Sequence, residues 1–167
     1  VLLKKLMSQQ AYNYLVKILS ARDYSEYKLR EKLREKKYPA NEIDAAICEI
    51  KAKGYLREEV FTAGRIRSFM NKGLSINHIR QKLRQEHLEA TDDQIEAIFN
   101  ENQVSEDQQI ERLARKKMGS KTDLDFEDQG KILRYLISKG HDYSFSKKVL
   151  ATMVSEMKIE DDAQHSI

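Results

Sequence analysis

Leu29-Arg30-Glu31-Lys32-Leu33-Arg34-Glu35 returns farther along the chain as Ile79-Arg80-Gln81-Lys82-Leu83-Arg84-Gln85, with Ser25 and Ser75 standing ahead of the two runs. The offset is 50 residues. A second pair, Glu42-Ile43-Asp44-Ala45-Ala46-Ile47 and Gln94-Ile95-Glu96-Ala97-Ile98-Phe99, matches at an offset of 52, so the intervening loop gains two residues. An internal repeat at this period marks a tandem array of small helical modules.

Helical periodicity dominates throughout. Proline occurs once, at Pro39, and apolar residues recur every three or four positions. In the first module the spacing predicts helices over 9–21, from Ser25 as N-cap to 37, and from Asn41 as N-cap to 53, with Gly54 beyond the end. The second repeats the plan over 57–72, 75–86 and 91–102, Thr91 and Gln94 forming a capping box. In the third, Ser105 with Gln108 opens a helix ending near Met118 and Gly119, Asp125 one ending near Lys139 and Gly140, and Ser144 the last. The expected architecture is all-α: an elongated, curved array of three tandem three-helix repeats over 9–56, 57–104 and 105–159, then an acidic tail, 160–167, without fixed structure.

The inward faces follow from the same period. Leu15, Ile18, Leu19, Leu29, Leu33, Ile43, Ile47 and Ile50 fill the first module. Phe61, Ile66, Phe69, Met70, Ile79, Leu83, Ile95 and Phe99 fill the second, and Leu113, Ile132, Leu133, Leu136, Val149, Leu150 and Met153 the third. Each set makes a core too small to be stable alone at roughly 50 residues, so stacking is expected to supply the remainder.

Composition narrows the function. The chain has 167 residues, 34% of them charged and 40% hydrophobic, enough for small modules and too little for a large enzyme. No apolar run approaches the roughly 18 residues that span a bilayer and no secretory segment is evident, so a cytoplasmic location is expected. One cysteine, Cys48, excludes an internal disulfide and reads as a packing residue beside Ile47 and Ile50. His78, His87, His141 and His165 lack metal-ligand spacing and read as surface side chains. There is no phosphate loop, nucleophile elbow or triad context, and neither enzymatic activity nor a metal or cofactor is expected. The carboxylates at Asp123, Asp125, Glu127 and Asp128 read as helix capping rather than a cation site.

Charge is segregated along the chain. From Val60 to Gln85 there are six basic residues, Arg65, Arg67, Lys72, Arg80, Lys82 and Arg84, and no acidic one. From Glu86 to Glu111 there are nine acidic residues and no lysine or arginine. Arg115, Lys116 and Lys117 then restore positive charge. Mixed signs serve solubility better, so segregation points to a binding face for phosphates or an acidic protein surface. The candidate contacts are those six residues, with Arg115, Lys116 and Lys117 as a second patch. The tyrosines crowding the first module read as helix-junction packing rather than base-stacking platforms.

The residues carrying a wider resemblance are Tyr24-Ser25-Glu26, Leu29, Lys32-Leu33 and Gly54-Tyr55-Leu56, then Phe61-Thr62-Ala63, Arg67, Lys72-Gly73-Leu74 and Ile79-Arg80-Gln81-Lys82-Leu83, and finally Ala114-Arg115-Lys116-Lys117 and Lys139-Gly140-His141. Over residues 11–158 the chain resembles the RecX family of bacterial recombination regulators. It departs at His141, where the family usually has an apolar aromatic, and at Glu58-Glu59. The resemblance implies a modulator that binds RecA and its filament on single-stranded DNA; the chain itself is expected to be a monomer without cofactor. Filament extension, ATP hydrolysis, strand exchange and SOS co-protease activity would fall. A direct nucleic-acid binder and a helical adaptor for another protein are the alternative readings.

Overall fold

A computed structural model describes the backbone of residues 2–121 and 123–164, and the side chains of 9–121 and 123–159. Nine helices and no strand occur among the described residues: α1 (Leu2–Leu19), α2 (Glu26–Glu35), α3 (Ala40–Ala52), α4 (Glu58–Asn71), α5 (Ile76–Gln85), α6 (Asp92–Glu101), α7 (Glu106–Met118), α8 (Phe126–Ser138) and α9 (Tyr143–Gln164).

Local chemistry accounts for most boundaries. The repeat extends to the caps: Ser25 Oγ accepts from the Lys28 N–H at 3.3 Å, and Ser75 Oγ accepts from the His78 N–H at 3.2 Å. Thr91 with Gln94 and Ser105 with Gln108 form reciprocal capping boxes. The carboxylates of 123–128 serve the helix start, as expected: Asp125 accepts from the Asp128 N–H at 2.7 Å, Asp128 pairs with Lys121, and Glu127 with Lys131.

Four boundaries differ from the sequence reading. Helix α1 begins at Leu2 instead of residue 9, because no glycine or proline interrupts 2–8. Pro39, not Asn41, is the N-cap of α3, its ring holding the extended backbone (φ −61°, ψ 150°) from which the helix starts. Asp142 rather than Ser144 caps α9, accepting from the Phe145 N–H at 2.8 Å. Finally, α9 runs through Gln164, so 160–164 continue the helix where composition suggested a frayed tail; residues 165–167 and His165 within them lie outside the described residues.

The chain packs as two compact units. The first comprises Val1–Arg65 and Gln85–Glu89. Here α1 and α2 pack on α3 around Ala11, Leu15, Leu29, Leu33, Ile43, Ala46, Ile47, Ile50 and Leu56. Each large aliphatic side chain fully buried contributes about 1.5–3 kcal/mol. Ile18 and Leu19 are half-buried against this core, as are Tyr12, Tyr14, Tyr24 and Tyr38. Tyr27 stacks on His87 with ring centroids 3.7 Å apart. Cys48 is exposed, contrary to the packing expectation. At 100° per residue, Ile43, Ala46, Ile47 and Ile50 take the inner face of α3 and turn position 48 outward.

Glu26 ties this unit together, pairing with Arg30 at 2.8 Å and with Lys51 of α3. Burial pushes its carboxyl upward, yet hydrogen bonds from Lys51 and Arg30 outweigh that and leave it below its ordinary value of 4.5. A carboxylate lowered on folding stabilises above its unfolded pKa, and that contribution is lost as pH falls through the folded value. Glu26→Gln is therefore expected to cost on the order of 1 kcal/mol at neutral pH, a difference that shrinks and disappears as the pH falls through the lowered folded pKa. Denaturant midpoints of both proteins at neutral and acid pH check this.

The second unit comprises Ile66–Arg84 and Ala90–Ile167. Helices α7, α8 and α9 pack mutually around Ile110, Leu113, Ala114, Leu124, Ile132, Leu136, Val149, Leu150 and Met153. Ile66, Phe69, Met70, Ile79, Leu83, Ile95 and Phe99 of the same unit are buried as the periodicity expected. The C-terminal end of α4, which has no basic residue in its last turn, is capped from α7: Gln109 Nε2 donates to the Met70 carbonyl at 3.0 Å and Arg112 Nη2 to that of Asn71 at 3.3 Å.

The turns after α4 and α8 also join. The Ser75 N–H donates to the Lys139 carbonyl at 3.0 Å, and His141 Nε2 donates to the Gly73 carbonyl at 2.9 Å. His141 Nδ1 lies 3.1 Å from Glu106 Oε1 at the start of α7. The sequence reading placed His141 on the surface; its side chain is fully buried because both ring nitrogens find oxygen partners there.

Candidate binding surface

The basic run and the acidic run that follows it are brought together by folding. Arg65, on α4 in the first unit, forks onto the two carboxylate oxygens of Glu86, its Nε donating to Oε2 at 2.7 Å and its Nη2 to Oε1. Glu86 pushes the guanidinium's pKa above its already high ordinary value. In the second unit Arg80 reaches Asp92 at 2.6 Å and Asn77 at 3.1 Å. Arg67 lies 3.5 Å from Glu101, an exposed pair of little energetic weight. The segregation that looked like a dedicated binding face in one dimension is thus partly an internal ion-pair system in three.

The remaining candidates stand differently. Lys72 is exposed, its ammonium 6.0 Å from the Phe69 ring centroid, while Lys82 is half-buried on α5. Arg84 is exposed, one helical turn beyond Arg80, while Ile79 and Leu83 anchor the opposite side of α5 in the core. Arg115, Lys116 and Lys117 are exposed in the last turn of α7, where cations favour the negative end of the helix dipole. Lys117 lies 5.5 Å from the centre of the Tyr135 ring. Arg84, Arg115 and Lys116 carry no ion pair among the described residues. Such side chains can meet phosphate or carboxylate without first leaving an internal partner.

Sequence reasoning missed Glu86 and Asp92 as local counter-ions, and Arg112 as a helix-capping cation. The acidic run directly after the basic one was the available signal, since a turn between two helices brings such runs within reach.

An all-helical chain whose helices open on serine, threonine, aspartate and proline caps fits a tandem array of three-helix domains. Family models for the first and third three-helix domains of RecX match residues 11–49 and 105–150. The chain belongs to the RecX family. It is 32% identical over 157 residues to the regulatory protein RecX of Haemophilus influenzae strain PittEE, covering 93% of this chain and all of that one. Its counterpart in Mannheimia succiniciproducens is 29% identical over 134 residues, covering 80% and 88% of the two chains. Among solved structures, RecX from Lactobacillus salivarius shares the fold with a TM-score of 0.70 at 18% identity, covering 89% of this chain and 97% of that one. Another crystal structure of a regulatory protein RecX gives 0.69 at 20% identity, covering 92% and 73%.

Proposed function

We propose that the chain regulates the RecA recombinase, binding its filament on single-stranded DNA and limiting filament extension, and with it ATP hydrolysis, strand exchange and SOS co-protease activity. The observation that carries this reading is the set of exposed basic side chains that have no ion pair among the described residues, Arg84, Arg115 and Lys116, on a member of the RecX family. Lys72, Lys82 and Lys117 add positive charge, and Arg65, Arg67 and Arg80 contribute only where a partner's anions compete with Glu86, Glu101 and Asp92. The partner surface is acidic protein, with DNA phosphate beside it. Two compact units on one chain let a monomer meet more than one RecA protomer, and simultaneous contacts favour filament over free RecA. The action is that of a non-enzymatic cytoplasmic regulator.

The test is single-stranded-DNA-dependent ATP hydrolysis by the cognate RecA, titrated with this protein below one molecule per RecA. Hydrolysis is expected to fall at substoichiometric ratios. Arg84→Glu with Lys116→Glu is expected to raise the half-inhibitory concentration about tenfold, with the circular dichroism spectrum unchanged, as loss of desolvated charge contacts implies. Undiminished hydrolysis, together with tight salt-sensitive binding to DNA alone, would replace this reading with that of a direct nucleic-acid binder.

A further inference from the structure

A cleft of about 570 Å³ opens in the second unit between the start of α5, the second half of α6, the start of α7 and the turn before α9. That volume falls within the range of sites that hold small ligands or single side chains. Three carboxylates line it, Glu96, Glu106 and Asp142, and neither lysine nor arginine does. Phe99 supplies an apolar wall. Gln109 also lines the cleft, only 1% exposed; its Nε2 is engaged by the Met70 carbonyl and its Oε1 has no donor. A buried acceptor of this kind costs about 1–3 kcal/mol until a donor reaches it.

The electrostatics select the sign of the occupant. The N-termini of α5, α7 and α9 open near the cleft and bring about half a positive charge each. Asp142 caps α9, and Glu106 lies in the first turn of α7 and faces His141. The three full negative charges exceed the three half-charges, and Glu96 has no such duty at a helix start.

We propose that this cleft receives an arginine side chain of a partner protein. The acceptors lie on separate helices, Glu96 on α6 and Glu106 and Gln109 on α7, which suits a planar group with five N–H donors better than a compact ammonium. The guanidinium plane and its methylene stem can lie along Phe99, and one N–H can supply the donor that Gln109 Oε1 lacks. This surface has the opposite sign to the basic patch and reads a different part of a partner.

A ¹⁵N-resolved NMR titration of the full chain with the peptide Gly-Gly-Arg-Gly-Gly tests it, with the citrulline peptide as the neutral isostere and spermidine as a free polycation. The arginine peptide is expected to give saturable shifts confined to Phe99, Glu106, Gln109 and their neighbours, with binding at least fivefold weaker in Glu96→Gln. The citrulline peptide is expected to leave those signals in place. No saturable shift, or equal shifts with citrulline, overturns the proposal. Equal or tighter binding of spermidine at the same residues overturns the assignment to a partner's arginine.

Discussion

Gly140→Ala is expected to destabilise the second unit by about 2–5 kcal/mol. Two costs add. The backbone at Gly140 has φ +89°, a conformation that costs an L-residue roughly 1–2 kcal/mol. An alanine Cβ would also stand 2.6 Å from His78 Cβ and 2.7 Å from Ser75 Oγ. His78 Cβ is fixed to helix α5 and cannot swing aside, so relief needs a backbone shift, and such overpacking costs about 1–3 kcal/mol. Gly54→Ala isolates the backbone cost, since Gly54 has φ +72° with nothing within 4 Å of its Cβ position. That variant is expected to lose only about 1–2 kcal/mol. Denaturant unfolding with hydrogen exchange reads both: Gly140→Ala should remove protection in α7–α9 while α1–α3 retain theirs. Equal losses for the two glycines would mean that the close approach at His78 does not constrain the fold.

His141→Ala is expected to cost about 3 kcal/mol, the second large effect at this junction. Truncation leaves the Gly73 carbonyl without its donor, a penalty of about 1–3 kcal/mol, and opens a cavity where the imidazole sat. His141→Phe refills most of that volume without restoring the hydrogen bond, so it is expected to lose about half as much. Thermal unfolding of the pair separates packing from hydrogen bonding. A phenylalanine variant as unstable as alanine would assign the whole effect to the lost donor, and an unperturbed alanine variant would remove His141 from the account of stability.

Legibility in the sequence followed the range of the interactions involved. Helices and caps depend on residues three or four apart, and so Thr91 with Gln94, Ser105 with Gln108, and the apolar sets around Leu33, Ile79 and Leu136 could be read directly. Cys48 was misplaced because its neighbours in the chain were weighed instead of its angle on the helix. Burial of His141 was not legible, since it depends on oxygens 35 and 68 residues away, at Glu106 and Gly73. The basic patch stands between these cases. Its residue types were visible, while the carboxylates engaging Arg65 and Arg80, 21 and 12 residues away, depend on how the turns close.

Those ion pairs also bear on how binding responds to salt. A polyanion releases condensed counterions for each phosphate that a free cation neutralises, which steepens the loss of affinity with salt by about 0.9 logarithmic units per contact on duplex and about 0.7 on single strands. Arg65 and Arg80 already hold carboxylates as resident counterions, so a phosphate arriving there exchanges one anion for another, and the change in charge is correspondingly smaller. If the proposed contacts meet a polyanion, the steepness of the salt response is expected to be set chiefly by side chains such as Arg84, Arg115 and Lys116, and to understate how many basic residues touch the ligand.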